Sequence, residues 1–94
     1  MSGSLTGKAR AALRSRAHHL DPIANVGQQG ITPAVLRGIE DALLARELVK
    51  ISVGRNATMS ARDAAPQLAE QLGAEVIQVI GRTVCLYRRR EEEA

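Results

Sequence analysis

Residues 25 to 43 read NVGQQGITPAVLRGIEDAL, in which a glycine loop separates a short, mostly apolar run from a helical pattern. The run, residues 23 to 26, has the length and composition of a short strand. Thr32 is a good N-cap, and Pro33 suits the first helical turn because its missing N–H is not needed there. The apolar positions that follow repeat with helical spacing: Val35, Leu36, Ile39, Ala42 and Leu43. The stretch predicts a strand, a loop and a helix that runs from residue 32 to residue 46.

The chain after this helix predicts a second strand and a third helix. Residues 47 to 53, ELVKISV, are β-branched and partly alternating, as strands are. Since a strand, a helix and a strand follow one another, we expect a right-handed crossover that pairs the two strands in parallel. The third helix is predicted over residues 60 to 72, with Gly73 as its C-cap. Pro66 leaves two alternatives open: the helix begins near Asp63, or a longer helix is kinked at the proline.

The two ends of the chain supply the remaining elements. Residues 5 to 17 predict a first helix, because their apolar positions recur at helical spacing as Leu5, Ala9, Ala12 and Leu13. Residues 75 to 80 and 83 to 88 predict two strands, and the Gly81-Arg82 pair between them has the two-residue spacing of a tight hairpin. The order α-β-α-β-α-β-β predicts a compact α/β domain with a mixed four-stranded sheet.

Length and composition indicate a small globular protein. Ninety-four residues suffice for one domain, with 5 to 88 expected to fold and 89 to 94 expected to form a charged, frayed tail. No run approaches the roughly 18 consecutive apolar residues of a membrane helix, and the N-terminus lacks the apolar core of a secretory signal. A lone cysteine, Cys85, cannot form an internal disulfide, which fits a reducing compartment. We therefore expect a cytoplasmic protein without membrane association.

The charge distribution favours a polyanionic partner. The net charge is only +3, but the first 20 residues contain four cations and no acid: Lys8, Arg10, Arg14 and Arg16. Three of the ten acids lie together at residues 91 to 93, so the rest of the chain is more basic than the net charge suggests. Because the first helix has no acid of its own, we expect its cations to be unpaired and open to an external anion. Nucleic acid is the most common such partner.

The glycine loop has two possible explanations. Gly27, Gln28, Gln29 and Gly30 could form a tight connection with no further role. They could also form a backbone cradle for phosphate, because glycines permit close approach and the following helix offers N–H groups and the positive end of its dipole. A GxxG loop clamps the nucleic-acid backbone in KH modules in this way. The position between a strand and a capped helix favours the cradle.

The loop does not match a nucleotide-cofactor site. The chain has no GxxxxGK[ST] and no GxGxxG, so we expect no nucleotide cofactor, and no cluster of metal ligands is visible. The two loop glutamines carry no charge. The charge that a phosphate requires must come from other residues, for which the candidates are Lys8, Arg10, Arg14, Arg37 and Arg82.

The aromatic content restricts the mode of RNA binding. Tyr87 is the only aromatic residue, so a surface that stacks several bases, as in RRM or OB folds, is excluded. A partner would be held through backbone groups, charge and shape, which favours structured or double-helical RNA.

Four segments together resemble the CRM domain, the RNA-binding module of chloroplast RNA splicing and ribosome maturation, in its stand-alone bacterial YhbY type. They span residues 5 to 88 and read LTGKARAALRSRAHHLDP, VGQQGIT, ALLARELVKISV and VIQVIGRTVCLYR. The resemblance implies a fold similar to the C-terminal domain of translation initiation factor three. It also implies RNA binding and association with the maturing large ribosomal subunit. We therefore expect a protein that binds ribosomal RNA of the large-subunit precursor, and we also expect it to be monomeric and non-enzymatic and to need no cofactor.

The resemblance also implies the RNA-binding residues. The loop corresponds to Gly27, Gln28, Gln29 and Gly30, and the basic positions correspond to Lys8, Arg10, Arg14, Arg82 and Arg88. From their places at the start of the second helix, we also expect Thr32 and Arg37 to contact RNA. Many family members have a lysine inside the loop where this chain has glutamines, which implies weaker binding or a larger part for the first helix.

Two other functions fit the same composition. A protein-interaction module could use the basic face to bind an acidic partner, and it would remain associated with that partner after RNase treatment. A small enzyme acting on a phosphorylated substrate ranks last, because no nucleophile and no acid–base pair are recognisable.

Overall fold

The structure is a computed structural model that describes residues 5–90. Its elements are α1 (Gly7–Ala17), β1 (Ala24–Val26), α2 (Pro33–Arg46), β2 (Leu48–Val53), α3 (Ala61–Leu72), β3 (Glu75–Ile80) and β4 (Thr83–Tyr87). This order confirms the predicted α/β architecture with three helices and four strands.

The four strands form one mixed sheet in the order β1-β2-β4-β3. β1 pairs with β2 in parallel, as predicted from the strand–helix–strand order, and the other two pairings are antiparallel. The β3–β4 connection is a two-residue hairpin in which Ile80 pairs with Thr83. Gly81 has a φ of 55° and Arg82 does not have a positive φ, which is the pattern of a type II′ turn.

The helices lie on both faces of the sheet and create two cores. On one face, Ile39 and Leu43 of α2 and Leu68 of α3 pack on the central strands. On the other face, α1 packs Leu13 and Ala17 against a second cluster. Successive side chains of a strand point to opposite faces, so Leu48 of β2 belongs to the α1 core while its neighbour Val49 belongs to the other.

The third helix begins at Ala61 and continues through Pro66 to Leu72. The alternative in which it begins near Asp63 is wrong, because the Ser60 hydroxyl caps the helix by accepting from the Asp63 N–H at 3.0 Å. Pro66 is exposed, and the carbonyl that its missing N–H leaves without a helical partner belongs to Arg62, which is also exposed.

Three of the predicted strands are also one residue too long. The first begins at Ala24 and not at residue 23. Glu47 is not part of β2 but ends α2, with a φ of 68° that is unusual outside glycine. β4 ends at Tyr87, so Arg88 follows the strand rather than closing it. In the predicted tail, Arg90 contacts the Glu47 carboxylate through its backbone N–H at 2.8 Å. Residues 91 to 94 of that tail lie outside the described part of the chain.

Arg88 joins three elements at one end of the sheet. Its guanidinium donates to both carboxylate oxygens of Glu40 on α2, at 2.8 and 2.7 Å, and to the Leu72 carbonyl at the end of α3, at 2.8 Å. These hydrogen bonds hold the pKa of Glu40 below its ordinary value, and Glu40 in turn raises the pKa of Arg88. The sequence placed this arginine in the RNA site, whereas its hydrogen-bonding groups are directed to the fold.

Replacing Arg88 with methionine removes these hydrogen bonds while keeping an apolar stem. We expect the free energy of unfolding to fall by about 1–2 kcal/mol, a modest value because the Glu40 side chain is 41% exposed. Urea unfolding at pH 7 measures this change. The control is Arg89→Met, which alters an exposed arginine next along the chain and should change stability by less than about 0.5 kcal/mol.

The same pair makes stability depend on pH. Because the pKa of Glu40 is lowered in the folded protein, the contribution of the pair is complete above the ordinary glutamate value of 4.5 and is lost as the pH falls through the lower folded value. The stability difference between the wild type and Arg88→Met should therefore shrink below pH 4.5. A difference that stays constant down to acid unfolding would contradict this assignment.

Candidate nucleic-acid interface

Three connections lie side by side at one end of the sheet. The Gly54 N–H donates to the Val26 carbonyl at 2.9 Å, which places the chain after β2 beside the chain after β1. The Val53 N–H donates to the Arg82 carbonyl at 2.7 Å, which places the β3–β4 hairpin on the other side. We call the surface formed by residues 27–30, 54–60 and 81–82 the loop edge.

The glycine loop is a tight turn at the loop edge. The Gly30 N–H donates to the Gly27 carbonyl at 3.0 Å, and the two glycines form an isolated antiparallel bridge. Gln28 and Gln29 occupy the central positions, and both are exposed. Within residues 5–90, no hydrogen bond uses the backbone N–H of either glutamine. The turn therefore offers two adjacent peptide donors to an external acceptor such as a phosphate oxygen.

The structure gives a reason for glycine at one position of the turn but not at the other. Gly30 is buried and has a φ of 76°, so a side chain there would be strained whatever the ligand. Gly27 has no positive φ, and a Cβ atom there would lie at an ordinary 3.6 Å from the Asn25 amide nitrogen. The fold therefore requires glycine at position 30 but not at position 27, where only the close approach of another molecule would require it.

The N-terminus of α2 contributes fewer donors than the sequence suggested. The Thr32 hydroxyl accepts from the Val35 N–H at 3.1 Å, and the Thr32 carbonyl accepts from the Leu36 N–H at 3.0 Å. Pro33 has no N–H, which leaves Ala34 as the first-turn residue whose amide can serve a ligand. The helix therefore adds its dipole and one amide, and most of the peptide donors come from the turn itself.

Exposed cations accompany the loop edge. Arg82 lies in the hairpin beside β2, and Arg37 lies one turn into α2. Arg55, in the loop after β2, is also exposed, and it is not among the site residues predicted from the sequence. None of the ion pairs within residues 5–90 includes these three arginines. The position of Arg55 directly after a parallel strand could have identified it, because ligands collect at the carboxyl ends of such strands.

The basic residues of α1 lie elsewhere. Arg10 donates to the Val76 carbonyl at 3.1 Å, and its guanidinium is 3.6 Å from the Glu75 carboxylate. The expectation that Arg10 is unpaired is therefore wrong, because its acid comes from β3 rather than from its own helix. Glu75 pairs with Tyr87, at the end of the sheet opposite the loop edge. On the same helix, Lys8 is exposed and Arg14 is half-buried.

The predicted site residues thus fall into two groups. The structure brings together at the loop edge Gly27, Gln28, Gln29, Gly30 and Arg82. Thr32 and Arg37 follow the turn, as the N-cap of α2 and one turn into that helix. The structure does not bring to that edge Lys8, Arg10, Arg14 and Arg88. For the three residues of α1 the separation follows from the fold, because α1 covers the opposite face of the sheet from α2 and α3. Arg88 is separate because it follows β4 at the end of the sheet opposite the loop edge.

Other kinds of site have little basis in the geometry. Among residues 5–90, no three side chains of the types that bind metals come together. Cys85 is buried in the α1 core, and burial raises the pKa of its thiol, with a smaller lowering effect from Lys50. None of the helices in this part of the chain is long and apolar enough to cross a membrane.

Comparisons with known proteins agree with this geometry. Residues 5–88 match the CRS1 / YhbY (CRM) domain family. The "Probable RNA-binding protein YqeI" of Bacillus subtilis (strain 168) is 42% identical over 88 residues, which cover 94% of this chain and 92% of that protein. An "RNA-binding protein" of Haemophilus influenzae is 34% identical over 89 residues, which cover 95% of this chain and 90% of that protein.

A solved structure has the same fold. It is the solution structure of the hypothetical protein SAV1595 from Staphylococcus aureus, which is 39% identical in sequence. The two structures superpose with a TM-score of 0.71 over 97% of this chain and 95% of that protein.

The different backbone conformations of Gly27 and Gly30 lead to a prediction about stability. Gly30→Ala should lower the free energy of unfolding by about 1–2 kcal/mol, because alanine is disfavoured at positive φ. Gly27→Ala should change it by less than about 0.5 kcal/mol. Urea unfolding of the two variants measures both values. Equal losses in the two variants would contradict the assigned backbone geometry of the turn.

Proposed function

The chain belongs to the CRS1 / YhbY (CRM) domain family, and on that basis we propose that it is a non-enzymatic RNA-binding protein that holds an RNA backbone at the loop edge. The observation that carries this proposal is the Gly27–Gly30 turn, whose two central residues are exposed and have backbone N–H groups without a partner within residues 5–90. Relatives that match nearly the whole chain are named as RNA-binding proteins, which supports RNA as the partner.

The turn binds one phosphate of the strand. The N–H groups of Gln28 and Gln29 donate to its oxygens, and the positive end of the α2 dipole adds a favourable field. Gly27 allows the strand to approach the backbone closely, since it carries no side chain. The glutamine side chains are exposed and uncharged, so they can hydrogen-bond to ribose hydroxyls but cannot neutralise phosphate charge.

Arginines outside the turn supply the charge. Arg55 and Arg82 follow the turn in that order across the loop edge, in the loop after β2 and in the hairpin, and Arg37 lies on α2. Each cation that meets a phosphate releases counterions, so the affinity falls as the salt concentration rises. Arg10 and Arg88 are excluded from this set because their guanidinium groups already bind Glu75 and Glu40.

The cations of α1 form a second contact rather than part of the first. Lys8 and Arg14 belong to no ion pair within residues 5–90, and they lie on the helix that covers the other face of the sheet. An RNA that meets both the loop edge and α1 must therefore bend around the domain or be large enough to contact two sides of it. This requirement favours a folded RNA over a short single strand.

We further propose that the target is ribosomal RNA of the large-subunit precursor. The protein binds it as a monomer in the cytoplasm. The resemblance to YhbY-type proteins supports this target. The packing of Tyr87 supports structured RNA, because the single aromatic ring belongs to the α1 core and is not available as a stacking platform.

Adding negative charge at the tip of the turn tests the RNA site. We expect the double substitution Gln28→Glu and Gln29→Glu to weaken binding to a structured rRNA fragment about tenfold or more at low salt, through repulsion of the phosphate. The difference should narrow as salt is added, because screening acts on both proteins. Fluorescence anisotropy titrations at several salt concentrations measure both effects.

The matched control adds two negative charges elsewhere on the surface, as Gln71→Glu on α3 and Ala45→Glu on α2. Both control positions are exposed and lie in the last turns of their helices. We expect a change in affinity of less than about threefold, since only the net charge is altered. Equal weakening by the two double variants would show that the turn is not the binding site.

The choice of target generates a second prediction. In cell lysates, we expect the protein to sediment with large-subunit precursors and to leave those fractions after RNase treatment. Crosslinking followed by sequencing should then place its contacts in large-subunit rRNA. Association that survives complete RNase digestion would instead favour the alternative function, in which the basic surface binds an acidic protein.

A further inference from the structure

A cavity of about 590 Å³ opens beside the glycine turn. It lies between the loop after β2, the first turn of α3 and the β3–β4 hairpin, and this volume is in the range that accommodates a nucleotide-sized ligand. Met59 lies between the cavity and the turn. It lines the cavity, and its methyl carbon is 3.8 Å from the point that a Cβ atom at position 30 would occupy. The cavity is therefore next to the turn, and a strand with one phosphate on the turn can extend its neighbouring nucleotide towards it.

The cavity carries both signs of charge. Arg55 and Arg82 line it, and so does Asp63 in the first turn of α3. All three side chains are exposed, and none of them belongs to an ion pair within residues 5–90. The hydrogen bond from the Asp63 N–H to Ser60 fixes the backbone of this residue in the helix and does not use its carboxylate.

This combination suits a nucleobase better than a second phosphate. A carboxylate repels phosphate but accepts hydrogen bonds from base N–H groups. The planar guanidinium groups of Arg55 and Arg82 can stack on a base where aromatic residues are missing, and they can also bind the adjoining phosphate. The Met59 side chain supplies an adaptable apolar surface.

We propose that the cavity binds an unpaired guanine nucleotide of the same RNA strand whose neighbouring phosphate lies on the Gly27–Gly30 turn. Guanine is favoured because its N1–H and N2 amino group lie side by side, so the Asp63 carboxylate can accept from both at once. The other bases do not present two adjacent donors of this kind to a carboxylate. This proposal rests on the proposed function. It adds a preference for one base, which a contact to phosphate cannot provide.

The test uses a hairpin RNA whose uridine loop carries one guanosine, together with two altered versions. In one version inosine replaces the guanosine and removes the N2 amino group, and in the other an abasic site replaces it. We expect the wild-type protein to bind the inosine RNA about fivefold more weakly and the abasic RNA about tenfold more weakly. Anisotropy titrations at one fixed salt concentration measure the three affinities.

Asp63→Asn should remove the preference for guanosine over inosine. It should also strengthen binding to an all-uridine loop slightly, because a negative charge near the strand is lost. If Asp63 had only a structural role, its replacement would not both abolish the guanosine preference and strengthen binding to the all-uridine loop. Asp41→Asn, the same substitution at an exposed site on α2, should leave the preference at its wild-type value.

Arg55→Ala provides a second variant in an exposed loop, where loss of the side chain does not threaten the fold. It should weaken binding of the guanosine RNA by about fivefold and of the abasic RNA by much less. Arg46→Ala, at an exposed position near the end of α2, is the control and should affect both RNAs equally.

The outcomes separate this inference from the proposed function. If the wild type binds the three RNAs equally while the Gln28 and Gln29 double variant still loses affinity, the cavity is not a guanine site and the phosphate site stands. If no RNA binds, both proposals fail. Free guanosine monophosphate should displace the RNA only at concentrations about a hundredfold or more above those of the guanosine RNA itself. Displacement at equal concentrations would identify a free nucleotide as the ligand and overturn the strand-borne one.

Discussion

The end of strand β2 is the point on which the rest of the structure depends. β2 pairs with β1 on one side and β4 on the other, and the peptide groups of Val53 and Gly54 bond to Arg82 and Val26 just where the strands end. Backbone hydrogen bonds of this kind are set by strand register and not by the side chains of the loops. As a result, a turn, a loop and a hairpin far apart in the sequence are held at one edge with their side chains directed to solvent or to a shared cavity.

The sequence predicted the fold well and the surface less well. Element order, parallel pairing and the hairpin follow from local patterns and general rules of connection, and each is confirmed. The partners of Arg10 and Arg88 could not be predicted, because their contacts join residues 66 and 48 positions apart in the chain. A basic residue has the same appearance in a sequence whether its charge meets solvent, a carboxylate or a phosphate. Only the folded structure shows which of these partners an arginine has.

The glycine loop shows that the two glycines of one sequence pattern need not have the same explanation. Gly30 is explained by backbone conformation alone, since its φ of 76° is needed to close the turn. Gly27 has no such explanation in the fold, and the amides between the two glycines are left without partners in the described residues. The pattern could not distinguish these cases, because φ depends on how the turn joins β1 to α2. A positive φ is invisible in the letters of a sequence.

A contact made by peptide groups has an evolutionary consequence. The donors of Gln28 and Gln29 belong to the main chain, so nearly any residue except proline at these two positions keeps them. In the proposed complex, relatives can therefore exchange the side chains at the tip, a lysine for a glutamine for example, and alter how strongly salt weakens binding while the backbone contact to phosphate is kept. The loop after β2 can change independently of the turn, so that the strength of binding and the preference for a base can vary separately among relatives.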